Sequence, residues 1–246
     1  MTQLTRLTQL TRMARPAVGE REPAPTGERR LRMSYEQFLE WSDEDTHAEW
    51  VNGEVIVFMT PVIRHQRING FLYSLISRFA DLFNLGEVVF APFEMRHLPG
   101  YASREPDLLF VARENLHRLT RERLEGPADL VIEIVSPSSA KRDYQEKLAE
   151  YEQSGVGEYW VIDPRPEWEQ VRVYQRTMEM EGCYQAVLPD PSGRYHSAAL
   201  PGLWLRPEWL WREPLPAADE AMLEVCGEAY IRHLAERMRR ERLSDQ

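Results

Sequence analysis

VIEIVSPSSAKRDYQEKLAEY, residues 131–151, reads as a strand, a turn and a helix, and it carries two anomalies. Glu133 sits at the centre of an apolar strand. An ionised carboxylate there costs several kcal/mol (about 3–5) to leave unpaired. Lys141 and Lys147 follow within a few residues, and they are the two lysines of a chain that otherwise draws its 30 basic residues from arginine. Arginine is always charged and forked. Lysine is a compact amine whose ionisation responds to burial. Ser136-Pro137-Ser138 shapes the exit from the strand and caps the helix. The helix runs over 139–154 and ends at Gly155. Tyr144, Leu148 and Tyr151 recur at helical spacing and define the face expected to turn toward the sheet, with Lys147 on or beside it and Lys141 near the helix start.

Around this unit, SYEQFLEW predicts a short helix with Ser34 as N-cap and Gln37 completing a capping box. Asn52-Gly53 in AEWVNGEVIVF predicts a hairpin with a type I′ turn. Ile68, Phe71, Leu72, Leu75, Ile76 and Phe79 give the next helix one apolar face. EVVFAPFEMRHL, EPDLLFVA, ADLVIEIVS, EYWVID, VRVYQR and CYQAVL read as strands, and 217–245 as a C-terminal helix. The order implies an α/β (α+β) domain: a mixed sheet flanked by helices, with an N-terminal β-hairpin.

Residues 1–32 hold a short duplication, TQLTRLTQLTR, then a Pro-, Gly- and charge-rich run. They read as a leader with too little apolar weight to fold. The expected organisation is leader 1–32, domain 33–212 and a helical extension 213–246. The chain has 43% hydrophobic and 28% charged residues and a net charge of -10. That composition is globular, has no apolar run of membrane length, and argues against a surface coated for nucleic-acid binding. Cys183 and Cys226 are too far apart for a metal pair and read as reduced thiols of a cytoplasmic protein.

Asp107 opens a second apolar strand, PDLLFV. If its strand neighbours that of Glu133, the acids converge at one sheet edge. Two hard oxygen ligands there suit Mg²⁺, with waters completing the octahedron. The bland alternative is that each acid pairs with an arginine. Glu49 in the hairpin, His65 at a helix start and Glu94 in APFEMR are further candidates. Asp163 reads as the fixer of an Asp-Pro turn. Trp204, Trp209 and Trp211 read as core or interface.

The set HQRI (65–68), EPDLLFV (105–111), ADLVIEIVSPSS (128–139), Asp143-x-x-x-Lys147-x-x-x-Tyr151 and GVGEYWVIDP (155–164), with AEWVNGEVI (48–56), resembles the Uma-type family of restriction-endonuclease-like proteins, within the PD-(D/E)xK nucleases. The resemblance covers roughly residues 33–212. It implies a restriction-endonuclease-like core and Mg²⁺-dependent (or Mn²⁺-dependent) phosphodiester hydrolysis. Asp107 and Glu133 would be metal ligands, and Glu49 would match an acid of the early hairpin. The general pattern has lysine two residues after the glutamate, where this chain has Val135. The resemblance assigns that role to Lys147 on the following helix.

The leading expectation is a metal-dependent DNA endonuclease acting as a homodimer. The alternatives are a catalytically silent nuclease-fold scaffold, which the acidic net charge favours, and a hydrolase of RNA or another phosphodiester.

Overall fold

The structure, a computed structural model, describes residues 29–42, 48–57, 63–98, 102–177 and 182–244. The duplication in the leader lies outside them. The chain divides into a small unit within 1–60 and 100–102 and a larger one comprising 61–99 and 103–246.

In the small unit, strand β1 (Arg29–Arg32) pairs antiparallel with β3 (Glu54–Val57), which pairs antiparallel with β2 (Ala48–Val51). Ordered strand therefore begins four residues before Met33, inside the stretch expected to be leader. Helix α1 (Tyr35–Trp41) has the predicted capping box: Gln37 N–H donates to Ser34 Oγ, and Ser34 N–H donates to Gln37 Oε1. Asn52 and Gly53 both have positive φ (51° and 82°), the requirement of a type I′ turn. Met33, Phe38, Ala48, Trp50 and Val55 form this unit's core.

The larger unit is built on a mixed sheet of order β12-β11-β10-β9-β7-β4. Its strands are β4 (Gly86–Phe90), β7 (Leu108–Ala112), β9 (Leu130–Ile134), β10 (Glu158–Asp163), β11 (Gln170–Arg176) and β12 (Tyr184–Val187). β9 and β10 are parallel, which the intervening helix allows. The other neighbours are antiparallel. Two further strands, β5 (Glu94–Leu98) and β8 (Arg123–Glu125), pair parallel. β6 (Ala102–Arg104) straddles the division, and β13 (Tyr195–His196) pairs with β14 (Trp204–Leu205).

One sheet face packs on helix α2 (Ile63–Phe83). Its Ile68, Phe71, Leu72, Leu75, Ile76 and Phe79 are all buried, as their spacing predicts. The other face, through Val131, Val135, Tyr159 and Val161, packs on the helix that follows β9. Five residues of that helix, Arg142–Glu146, form a π turn, which runs into α3 (Lys147–Ser154). Gly155 ends it at φ 90°, as expected.

Two expectations are corrected. EVVFAPFEMRHL is two strands, because Ala91-Pro92 ends pairing after Phe90 and Pro has no N–H to donate. The C-terminal helix is two, α5 (Ala218–Cys226) and α6 (Glu228–Ser244), broken at Gly227 with φ 54°. From the C-terminal helical stretch Ala221, Met222 and Tyr230 join the main core, together with Trp204 and with Trp209 of the short helix α4 (Glu208–Trp211). Trp211 packs against it, so the tryptophan triplet is core.

Glu158, the first residue of β10, is fully buried and satisfied. It accepts hydrogen bonds from Trp160 Nε1, Gln175 Nε2, Ser197 Oγ and the N–H groups of Ala198 and Ala199 (2.6–3.2 Å). It ties the 197–199 loop to the sheet.

Candidate active site

Antiparallel register pairs Leu108 with Ile132. One step further along the ladder, Asp107 stands opposite Glu133. Ile134 N–H donates to Asp107 Oδ2 (2.7 Å), which fixes the carboxylate at the end of β7. His65, in the first turn of α2, brings Nε2 to 3.2 Å from the same oxygen. Its Nδ1 is buried and has no hydrogen-bond partner, so the proton of the neutral ring belongs on Nε2. Asp107 Oδ1 accepts no hydrogen bond from the described residues, and about 20% of the side chain is exposed.

Glu133 and Lys147 are each only 3% exposed. Lys147 Nζ lies 2.7 Å from Glu133 Oε1 and 3.5 Å from Asp143 Oδ1. Tyr151 Oη donates to Glu133 Oε1 (2.8 Å), and its ring meets His97 edge-on. The amine therefore reaches the glutamate in space although it is fourteen residues away in sequence. Lys141, the other lysine, is exposed.

The helix phase differs from the sequence-based expectation. Asp143, Lys147 and Tyr151 are the innermost residues, whereas Tyr144 and Leu148 are only partly buried. The π turn adds a residue to one turn and rotates the inner face by that increment. Before it, Ser136 and Ser139 exchange side-chain hydrogen bonds with each other's N–H groups, and Asp143 N–H donates to Ser139 O. The serine turn thus has the structural role expected of it.

Two carboxylates, Glu133 and Asp143, flank Lys147, and Asp107 stands across the strand pair from Glu133. Burial lifts the Asp143 pKa above the ordinary carboxylate value, against the lowering influence of Lys147, Ser139 and Arg142. Burial disfavours a charged His65. The hydrogen bond to Asp107 and the negative charge of Asp107, Glu133 and Asp143 outweigh it and raise the imidazole pKa. Both shifts favour the protonated forms, so the buried acids and the imidazole compete for protons at this site.

Among the described residues, no group of three or more His, Cys, Asp and Glu is assembled to hold an ion. The donor set still fits a divalent cation of the Mg²⁺ type, which binds one or two carboxylates and keeps waters or phosphate oxygens in its other positions. Asp107 has an oxygen open to it, and Glu133 is held rigidly opposite.

The other candidates lie in different surroundings. Glu94 accepts from Ser103 Oγ (2.5 Å) and lies 3.6 Å from Arg123. Glu49 is buried on β2, in the small unit. Asp163 fixes the Asp-Pro turn by accepting from Arg165 N–H and, bidentately, from its guanidinium. The reading of single residues missed Asp143 and Tyr151 as partners of the site, although their spacing to Lys147, four residues on either side, was the available signal. It also missed the pairing of buried Arg104 with half-buried Glu150 (2.9 Å at two points), whose members lie on separate elements.

The mixed sheet places Asp107 and Glu133 on neighbouring strands and sets Lys147 of the next helix against Glu133. The Uma2 family model, described as "Putative restriction endonuclease", matches residues 35–208, and the chain belongs to that family. A crystal structure from Anabaena variabilis ATCC 29413, described as a "putative nuclease belonging to DUF820", superposes with a TM-score of 0.58 at 18% identity. The match covers 73% of this chain and 97% of that one, and it shows a shared fold. No curated protein is significantly similar in sequence. Among the described residues no helix is long and apolar enough to cross a membrane.

Proposed function

We propose that the chain is a divalent-metal-dependent endonuclease that hydrolyses DNA phosphodiester bonds. The observation that carries this reading is the meeting of Glu133, opposite Asp107, with the Lys147 amine at 2.7 Å. Asp107 and Glu133 would hold Mg²⁺ or Mn²⁺, which would polarise the phosphate and make a water more acidic. Glu133 is kept in place by Tyr151 and Lys147. The Lys147 ammonium, set between two carboxylates, offers positive charge to the phosphate oxygens as negative charge develops on them. His65 and Ile134 N–H hold Asp107 through the same oxygen, Oδ2. In hydrolysis the water oxygen bonds to phosphorus and the bridging P–O bond breaks; one water proton ends on the departing oxygen, and the other stays on the new phosphate oxygen or is released to solvent. Cutting both strands of a duplex would require two copies of the chain, each presenting one site. The cytoplasmic setting rests on two free cysteines, Cys183 being exposed.

The test is cleavage of supercoiled plasmid by the full chain with Mg²⁺ or Mn²⁺, against an EDTA control. Cleavage with metal and none with EDTA is the expected result. A folded wild type that cuts neither plasmid nor single-stranded DNA with either metal would overturn the reading in favour of a silent scaffold. Within the site, Tyr151→Phe is expected to weaken Mn²⁺ binding by about 10- to 100-fold, measured by calorimetry, because Glu133 loses the group that orients it. Unchanged affinity would show that Lys147 alone suffices.

A further inference from the structure

Of seven tryptophans, Trp168 alone is exposed, at 56%. It lies in the turn between β10 and β11, and a continuous chain of contacts ties that turn to the helix of the site. The Arg165 guanidinium lies 5.6 Å from the Trp168 ring centroid. The same guanidinium donates twice to Asp163 (2.7 and 2.8 Å). Tyr144, next to Asp143, donates to Asp163 (3.0 Å). The Arg172 guanidinium lies over the Tyr144 ring at 4.7 Å. On the other side, Glu169 pairs with Arg64, the neighbour of His65, at 3.1 Å.

Register places Arg172 beside the acids. Val161 pairs with Glu133 on one side and with Arg172 on the other. Glu133, Val161 and Arg172 therefore form one row on one sheet face, with Arg172 about 10 Å from Glu133 at the spacing of two strands. Arg172 is exposed, and among the described residues it makes no ion pair. It is a cation held in place by an aromatic ring and left without a counter-charge, in line with the candidate metal ligands.

We propose that the β10–β11 turn is a ledge for unpaired nucleic acid, on which Arg172 contacts a backbone phosphate and Trp168 stacks on a base. The inference rests on the nuclease reading and narrows its substrate to single-stranded segments. A net charge of -10 offers little for a duplex, whose binding depends on neutralising many phosphates. One stacked aromatic plus one or two cations is the economical way to hold a single strand.

The experiment is fluorescence anisotropy in EDTA, where no cleavage occurs, using fluorescein-labelled dT20 and a 20-base-pair duplex. Wild type is expected to bind dT20 at least about tenfold more tightly than duplex. Trp168→Ala is expected to lose roughly ten- to a hundred-fold of dT20 affinity, the usual effect of removing a stacking partner. Trp168→Phe should restore most of it. Arg172→Gln should lower the logarithmic salt slope by about 0.7, the contribution of one phosphate contact on a single strand. Both side chains are exposed, and unchanged melting temperatures would confirm intact folding. Preference for duplex, no binding of dT20, or Trp168→Ala binding like wild type would each overturn the ledge. The nuclease reading fails separately: Trp168-dependent binding without metal-dependent cleavage keeps the ledge and removes the enzyme. Cleavage with no effect of Trp168 does the reverse.

Discussion

Replacing Lys147 with methionine is expected to cost about 3–5 kcal/mol of folding stability at pH 8, the usual consequence of removing one partner from a buried ion pair. Methionine fills much the same volume and carries no charge, so the loss would come from leaving Glu133 and Asp143 buried without their cation. The deficit should shrink on acidification. Burial already raises the folded-state pKa of Asp143, and loss of Lys147 would raise it further. A carboxyl group whose folded pKa lies above its unfolded value, near 3.9 for Asp, binds protons more readily in the native state. Its contribution to stability is full below the unfolded pKa and is lost as pH rises through the folded pKa. Urea denaturation at pH 8 and pH 5 measures this directly. An equal deficit at both pH values would mean that the carboxylates are not the cause.

The second large effect concerns chemistry. Glu133→Gln is expected to reduce metal-dependent plasmid cleavage by at least about 1000-fold, equivalent to about 4 kcal/mol in the barrier. Glutamine keeps the shape and can still meet Tyr151, but it presents a neutral amide to the cation and to Lys147. Mn²⁺ affinity measured by calorimetry should fall in the same variant. Cleavage within a few-fold of wild type would remove Glu133 from the metal site, and with it the role assigned to its strand.

Local chemistry made much of this molecule legible in its sequence. The Ser34 capping box, the Asn52-Gly53 turn, the apolar stripe of the long helix and the Gly155 stop each depend on a few neighbouring residues. Glu133 and Asp107 stood out because a charge in an apolar strand is costly, and Lys147 because lysine is scarce here. Non-local features were hidden. The break at Ala91-Pro92 separates strands that pair with different partners. Glu158 looks like an ordinary strand-start acid, yet its partners Ser197, Ala198 and Ala199 are about forty residues away. The phase of the site helix was misjudged because a π turn leaves no simple mark in composition.

That turn also restricts how this stretch of chain can change in length. The helix is pinned behind by the serine turn and ahead by Gly155, and the extra residue reconciles the two anchors. A π turn holds one residue more than an α turn, so a single-residue deletion within Arg142–Glu146 that spares Asp143 is expected to close it into an α turn and keep Lys147 and Tyr151 on the inner face. The π turn is thus the slack in this helix: the same deletion placed between Lys147 and Tyr151 has none to draw on and would turn Tyr151 about 100° away from Glu133.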